Sequence, residues 1–139
     1  MPTSRAEFKA VARAREREAK ALLKANEWSG AYYLSGYAVE CGLKAVVATQ
    51  FSASTFPDRK LVENAFKHGL EALVNTAGLE QQHRQAIQND QYLRLNWRVV
   101  AEWTEQSRYR IWPRSAAEDM VSAVTHRQHG VMRWIRTVW

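Results

Sequence analysis

The sequence predicts an all-α domain that spans residues 1–139. Three observations support this class: polar and apolar residues almost never alternate, glycine and proline are sparse at six and three residues, and apolar residues recur every three or four positions. A chain of 139 residues, 46 % of them hydrophobic, is long and apolar enough to bury one core without disulfide or metal. We therefore expect a single domain of helices joined by short connections.

The first helix is predicted over residues 4–26. Ser4 is a suitable N-cap, and Glu7 completes a capping box three residues later. Arg15 lies within the apolar stripe of this helix, which is unusual for a charged residue. Five basic residues, which we name the basic stripe, cluster on the opposite side: Lys9, Arg13, Arg17, Lys20 and Lys24. The stripe is either a set of sequence-independent phosphate contacts or a solubilising surface interspersed with acidic residues.

The second helix is predicted over residues 29–50 and carries charges among tyrosines. Tyr33, Tyr37, Glu40 and Lys44 follow each other at spacings of four, three and four, so they share one helix face. The two charged residues form an i, i+4 pair in the favourable order.

Charges on a helix inside a bundle need partners. We expect Arg15 and Arg108 to pair with Glu40. One interpretation is a structural ion-pair network that sets the register of the helices. The other is a polar pocket that holds a phosphate or a nucleotide.

The middle of the chain is predicted to contain two loops and three helical segments. The first loop is rich in Ser, Thr and Pro. The first helical segment ends at Gly78, and Pro113 ends the second loop. The two loops are residues 51–58 and 107–114. Between them lie a short helix at 66–76, a polar helical piece at 79–89, and an apolar helix or pair of short turns at 91–103.

A last helix is predicted from Ser115 to near the C-terminus, with Glu118 completing a second capping box. Four basic residues lie opposite its apolar stripe at spacings of three, four and three: His126, His129, Arg133 and Arg136. They form either a solvated surface or an acid–base and phosphate-binding set for a metal-free nuclease, which needs a base, an acid and a cation. The first three are the catalytic candidates of the sequence.

Composition narrows the classes of partner and cofactor. The net charge of +6 favours an acidic partner, nucleic acid first, although it is also compatible with a basic protein of no specific affinity. Cys41 is the only cysteine, and no His or carboxylate cluster has metal-ligand spacing, so we expect no disulfide, metal or cofactor.

No apolar run approaches the length of a membrane span, and no signal-peptide core is present, so a cytoplasmic location is expected. The six tryptophans serve either a core or dimer interface, or base stacking.

Three segments of the sequence carry a family pattern in order and spacing. They are Tyr-Tyr-Leu-Ser-Gly-Tyr-Ala-Val-Glu-Cys-Gly-Leu-Lys at 32–44, Lys-His-Gly-Leu-Glu-Ala-Leu at 67–73, and Ser-Arg-Tyr at 107–109. Together they resemble the HEPN family (higher eukaryotes and prokaryotes nucleotide-binding). The residues that this resemblance and the helix pattern assign to a polar pocket or structural network are Arg15, Tyr33, Tyr37, Glu40, Lys44, Arg108 and Tyr109.

The resemblance implies both a fold and a function. The fold is an up-and-down bundle of four long helices with one or two short ones, which commonly forms homodimers. Many family members are ribonucleases in toxin–antitoxin, phage-defence or RNA-processing systems, and bacterial members often lie beside nucleotidyltransferases. The implied function is association with RNA or a nucleotide in a bacterial defence or toxin–antitoxin system. The alternative is a non-catalytic module that binds a protein such as a nucleotidyltransferase.

The nuclease motif usual in this family is absent from the sequence. That motif is an arginine followed, after four to six residues, by a histidine. None of the four histidines has an arginine at the required distance before it: His68, His83, His126 and His129. No catalytic residue can therefore be transferred from the family, and whether the chain is an enzyme stays open.

Overall fold

A computed structural model describes residues 1–139 and confirms the all-α class, with no strand. Short 3₁₀ turns at Ala48–Gln50 and Glu105–Tyr109 connect the α-helices. No helix is both long and apolar enough to cross a membrane. The helices are α1 Arg5–Lys24, α2 Trp28–Val47, α3 Arg59–Ala65, α4 Leu70–Thr76, α5 Glu80–Asn89, α6 Gln91–Ala101, α7 Arg114–Thr125 and α8 Val131–Val138.

The start of α1 has the predicted capping box. The Ser4 hydroxyl accepts a hydrogen bond from the Glu7 amide at 3.2 Å, and the Glu7 carboxylate accepts one from the Ser4 amide at 3.0 Å. These two bonds satisfy amide groups that a helix start otherwise leaves unpaired.

Helix α2 is the central element of the fold. Of its 20 residues, 14 are buried, and it packs against α1, α4, α7 and α8. The small residues of α2 let side chains of other segments pack close to its backbone, most clearly at Gly36. A Cβ atom on Gly36 would lie 2.2 Å from the Trp103 ring, whose indole N–H donates to the Tyr33 carbonyl oxygen at 3.1 Å. Through these two contacts, Trp103 holds the segment after α6 against the middle of α2.

The connection after α2 is more helical than the sequence indicates. The loop at 51–58 is present, but it is followed by α3, which the sequence analysis did not predict. The Asp58 carboxylate caps α3 by accepting from the Leu61 amide at 2.8 Å. The helix predicted to begin at residue 66 begins only at Leu70, because residues 66–69 turn the chain between α3 and α4.

The prediction of one continuous C-terminal helix was wrong. Helix α7 begins at Arg114 after Pro113, so Ser115 is not an N-cap and the second capping box does not form. Residues 126–130 then form a turn before α8. This turn is tight at Gly130, where a Cβ atom would lie 2.5 Å from the His126 carbonyl oxygen.

Four long helices are not confirmed. Only α1 and α2 reach 20 residues, and the other six α-helices have 7 to 12 residues. One interruption is at Asp90, which ends α5 with extended backbone and caps α6 by accepting from the Tyr92 and Leu93 amides at 3.0 Å.

Three of the tryptophans are buried in the core: Trp97, Trp103 and Trp134.

Candidate functional site

A pocket of about 270 Å³ lies over the middle of α2, and we name it the α2 pocket. Its walls come from the N-terminal segment and α1, from α2, from the turn before α4, and from the segment between α6 and α7. The lining residues are Met1, Pro2, Phe8, Tyr33, Tyr37, Glu40, Cys41, Lys44, His68, Trp103, Glu105 and Arg108.

The predicted polar face of α2 forms one wall of this pocket. The rings of Tyr33 and Tyr37 stack with their centroids 5.9 Å apart, and Tyr33 also stacks on Trp103 at 5.8 Å. Glu40 and Lys44 follow on the next two turns of the helix. The pocket thus combines an aromatic end with a charged end.

Glu40 is the buried acid of the pocket, and its main partner is a histidine. Its side chain is 4 % exposed, and one carboxylate oxygen lies 2.7 Å from His68 Nδ1. The other oxygen lies 3.9 Å from Lys44 Nζ, which is a longer and weaker contact. Burial raises the pKa of Glu40, and the opposing charges of Lys44 and His68 counteract that rise.

The predicted pairing of Glu40 with Arg15 and Arg108 was wrong. Arg15 pairs with Glu18 one turn along α1, and this hydrogen bond raises the pKa of the Arg15 guanidinium. Arg108 does line the pocket, but its guanidinium lies over the Tyr109 ring at 4.9 Å instead of against Glu40. Tyr109 itself is exposed and does not line the pocket. Local i, i+3 pairing on α1 therefore replaces the expected contact between helices.

His68 lines the α2 pocket, although no pattern in the sequence assigns it there. Its half-exposed imidazole reaches Glu40 from 28 residues away and ties the turn before α4 to α2. An ionised carboxylate only accepts hydrogen bonds, so it places the hydrogen on Nδ1 and leaves Nε2 as an acceptor. A histidine oriented in this way by a buried carboxylate is suited to act as a general base.

Tyr37 and Cys41 of the pocket stay neutral near pH 7. Burial raises the pKa of Tyr37 to about 12 and that of Cys41 to about 11. The Cys41 thiol is therefore not present as the reactive thiolate. Among the pocket side chains, this leaves His68 as the group best suited to move a proton.

The C-terminal histidines serve the turn between α7 and α8. His126 Nδ1 accepts from the Gln128 and His129 amides at 3.2 and 3.0 Å, and His129 Nδ1 lies 2.7 Å from an Asp90 oxygen. The expected single stripe is wrong because the helix is broken, and Arg136 points instead to Glu16 of α1 at 2.9 Å. Arg133, the third catalytic candidate from the sequence, is exposed on α8.

The fourth histidine, His83, is buried away from the α2 pocket. Its ring packs against Trp97 and Trp134 with centroids 4.4 and 5.1 Å apart. Burial lowers the pKa of His83, so the neutral form is favoured in the core. We assign it a packing role.

The basic stripe forms an open cationic surface on α1. None of its five residues forms an ion pair with a carboxylate. Lys9 and Arg13 lie over the Trp139 ring, with their charged groups 5.3 and 5.0 Å from its centroid. No group of three or more His, Cys, Asp or Glu residues is arranged to hold a metal ion.

The three segments that resemble the HEPN family meet at the α2 pocket. They contribute the α2 face, His68 and Arg108, although these residues lie up to 75 positions apart in the chain. No family model, curated protein or solved structure matches the chain. The function is therefore inferred from the chemistry of this pocket.

Proposed function

We propose that the chain is a cytoplasmic HEPN-like protein that binds RNA or a nucleotide in a bacterial defence or toxin–antitoxin system. The observation that supports this proposal is the convergence of Lys44, His68 and Arg108 on one pocket. These residues come from three separate segments: Lys44 and Arg108 can donate hydrogen bonds to a phosphate group, and His68 places the acceptor nitrogen Nε2 beside them. The phosphate site of the proposal is this charged end of the α2 pocket.

The two cations of the pocket, Lys44 and Arg108, can hold a partly enclosed phosphate, and the carboxylate of Glu105 also lines the wall. Lys44 is 7 % exposed and only loosely paired with Glu40, because Glu40 makes its short contact with His68. Arg108 is an exposed residue of the pocket lining, and its planar guanidinium can bind two phosphate oxygens at once. The ammonium group would thus contact the inner side of a phosphate and the guanidinium its outer side.

The same geometry supports a catalytic version of the proposal, with His68 as general base in place of His126 and His129. His68 Nε2 would take the proton of an RNA 2′-hydroxyl, whose oxygen then attacks the adjacent phosphorus. The bond from phosphorus to the 5′ oxygen breaks, and this oxygen takes a proton from solvent, which leaves a 2′,3′-cyclic phosphate. Lys44 and Arg108 would offset the negative charge that develops on the phosphate oxygens.

We expect Arg108→Gln to weaken the binding of a single-stranded RNA about 10-fold, because a charged hydrogen bond contributes about 1.5–3 kcal/mol. Fluorescence anisotropy with a labelled oligonucleotide measures this change. The matched control is Arg110→Gln, since Arg110 is exposed nearby but lies over Trp112 outside the pocket. Equal affinities of the wild type and Arg108→Gln would remove the α2 pocket from RNA binding.

Two further variants complete that experiment. His68→Gln should retain RNA binding and lose cleavage if His68 is the base; a wild type that binds without cleaving assigns the pocket to binding alone. The double reversal Arg13→Glu and Arg17→Glu tests the basic stripe. If the stripe contacts phosphates, this variant will show a shallower dependence of affinity on salt.

A second candidate function is a non-catalytic module that binds a protein. It is favoured by an exposed apolar stripe on α6, formed by Tyr92, Leu95 and Val99 at spacings of three and four. Their exposed fractions are 55, 51 and 36 %, and such a face is typical of a contact with another chain. We propose a second copy of this chain as its first occupant, which makes the protein a homodimer, and a nucleotidyltransferase as the alternative.

We expect Leu95→Glu to convert the dimer to a monomer, because a charge would be buried at the centre of the α6 stripe. Light scattering coupled to size-exclusion chromatography measures the mass. Phe56→Glu is the control, since Phe56 is 97 % exposed on the 51–58 loop. A dimer that persists in Leu95→Glu would contradict this interface, and a monomeric wild type would contradict the homodimer.

A further inference from the structure

The α2 pocket adjoins a second, apolar groove of about 430 Å³. The two cavities share four lining residues: Met1, Pro2, Phe8 and Lys44. Lys44 therefore stands at the junction, with its ammonium group beside Glu40 and its position on α2 facing both cavities. A ligand that fills both must be charged at one end and apolar at the other.

The groove has the composition of an aromatic stacking site. Its lining includes Val47 at the end of α2, Ala48 in the 3₁₀ turn that follows, and Phe66 just after α3. Phe51 from the 51–58 loop and Phe8 from α1 add two more rings. Phe51 and Phe66 are 40 and 58 % exposed and line one groove, so together they form an open apolar surface.

Along α2, the two cavities are lined by positions about one helical turn apart. Lys44 and Ala48 are four residues apart, so the rise of an α-helix separates them by about 6 Å along the axis. This is about one sugar ring, the unit that separates a base from its 5′-phosphate. A phosphate at Lys44 and Arg108 therefore leaves an attached base at the level of the groove.

We propose that this groove is the base subsite of a nucleotide whose phosphate occupies the charged end of the α2 pocket. The proposal rests on the proposed phosphate-binding function. The positive charge at the junction favours an anionic ligand over a purely apolar peptide. Because the rings of the groove offer stacking and few hydrogen bonds, the subsite accepts purines and pyrimidines alike.

Calorimetric titrations with inorganic phosphate, ribose 5-phosphate and AMP test the subsite. We expect AMP to bind at least about 5-fold more tightly than ribose 5-phosphate, the lower end of the range for one stacked base. Phe66→Ala should remove most of this difference without changing the affinity for ribose 5-phosphate. Phe56→Ala is the matched control, because Phe56 belongs to the neighbouring loop but does not line the groove.

The outcomes separate the two proposals. Equal affinities for AMP and ribose 5-phosphate would overturn the base subsite and leave the phosphate site intact. No binding of any of the three compounds would overturn the proposed phosphate site as well. If Phe66→Ala instead lowers the molecular mass in light scattering and leaves AMP binding unchanged, a second copy of the chain occupies the groove and the base subsite is wrong.

Discussion

Replacing Glu40 by leucine is expected to lower the free energy of unfolding by about 3–5 kcal/mol, the cost of leaving a buried charge without its partner. Lys44 is 7 % exposed, and Glu40 is the only carboxylate within ion-pair distance of it. The substitution also removes the hydrogen bond that orients His68. Urea denaturation followed by tryptophan fluorescence measures the change.

Two variants show whether the loss comes from the orphaned ammonium group. Adding Lys44→Leu to Glu40→Leu should restore most of the lost stability, because two apolar side chains then replace the ion pair. Glu80→Leu is the control: Glu80 and Arg84 form an i, i+4 pair of the same order, but both are exposed, so the change should stay within about 0.5 kcal/mol. A loss below about 1 kcal/mol for Glu40→Leu would mean that Lys44 reaches water, in contradiction to the enclosed charge of the α2 pocket.

Replacing Gly36 by alanine is expected to destabilise the fold by about 1–3 kcal/mol or more, because the added methyl group overpacks the core. A Cβ atom there would lie 2.2 Å from the Trp103 ring, and Trp103 is 1 % exposed with no room to retreat. Thermal unfolding measures the loss, and near-ultraviolet circular dichroism reports the displacement of the indole.

Gly30→Ala is the matched control, because it places the same substitution in the same helix. A Cβ atom on Gly30 would meet only the flexible end of Leu22 at 3.1 Å. Helix propensity favours alanine over glycine by up to about 1 kcal/mol, so a loss of stability at Gly36 that Gly30 does not show comes from the contact with Trp103. Equal stabilities of Gly36→Ala and Gly30→Ala would show that Trp103 does not pack against α2 as described.

The reliable predictions were those that depend on residues close together in the sequence. The all-α class follows from apolar periodicity, and the start of α1 follows from Ser4 and Glu7, which bond within one turn. The shared face of Tyr33, Tyr37 and Lys44 follows from the geometry of any α-helix. The failures at the second capping box and at the C-terminal helix arose where local signals competed with packing, as at the tight turn of Gly130.

The sequence by itself determined that the chain is helical and which face of α2 carries its charges, since both depend on periodicity along one helix. Only the tertiary structure decided that Glu40 meets His68 instead of Arg15, and that Arg108 faces the same pocket. These contacts join segments 28 or more positions apart, and their energy depends on how the helices pack. No spacing rule within one helix can select among partners that lie on different helices and loops.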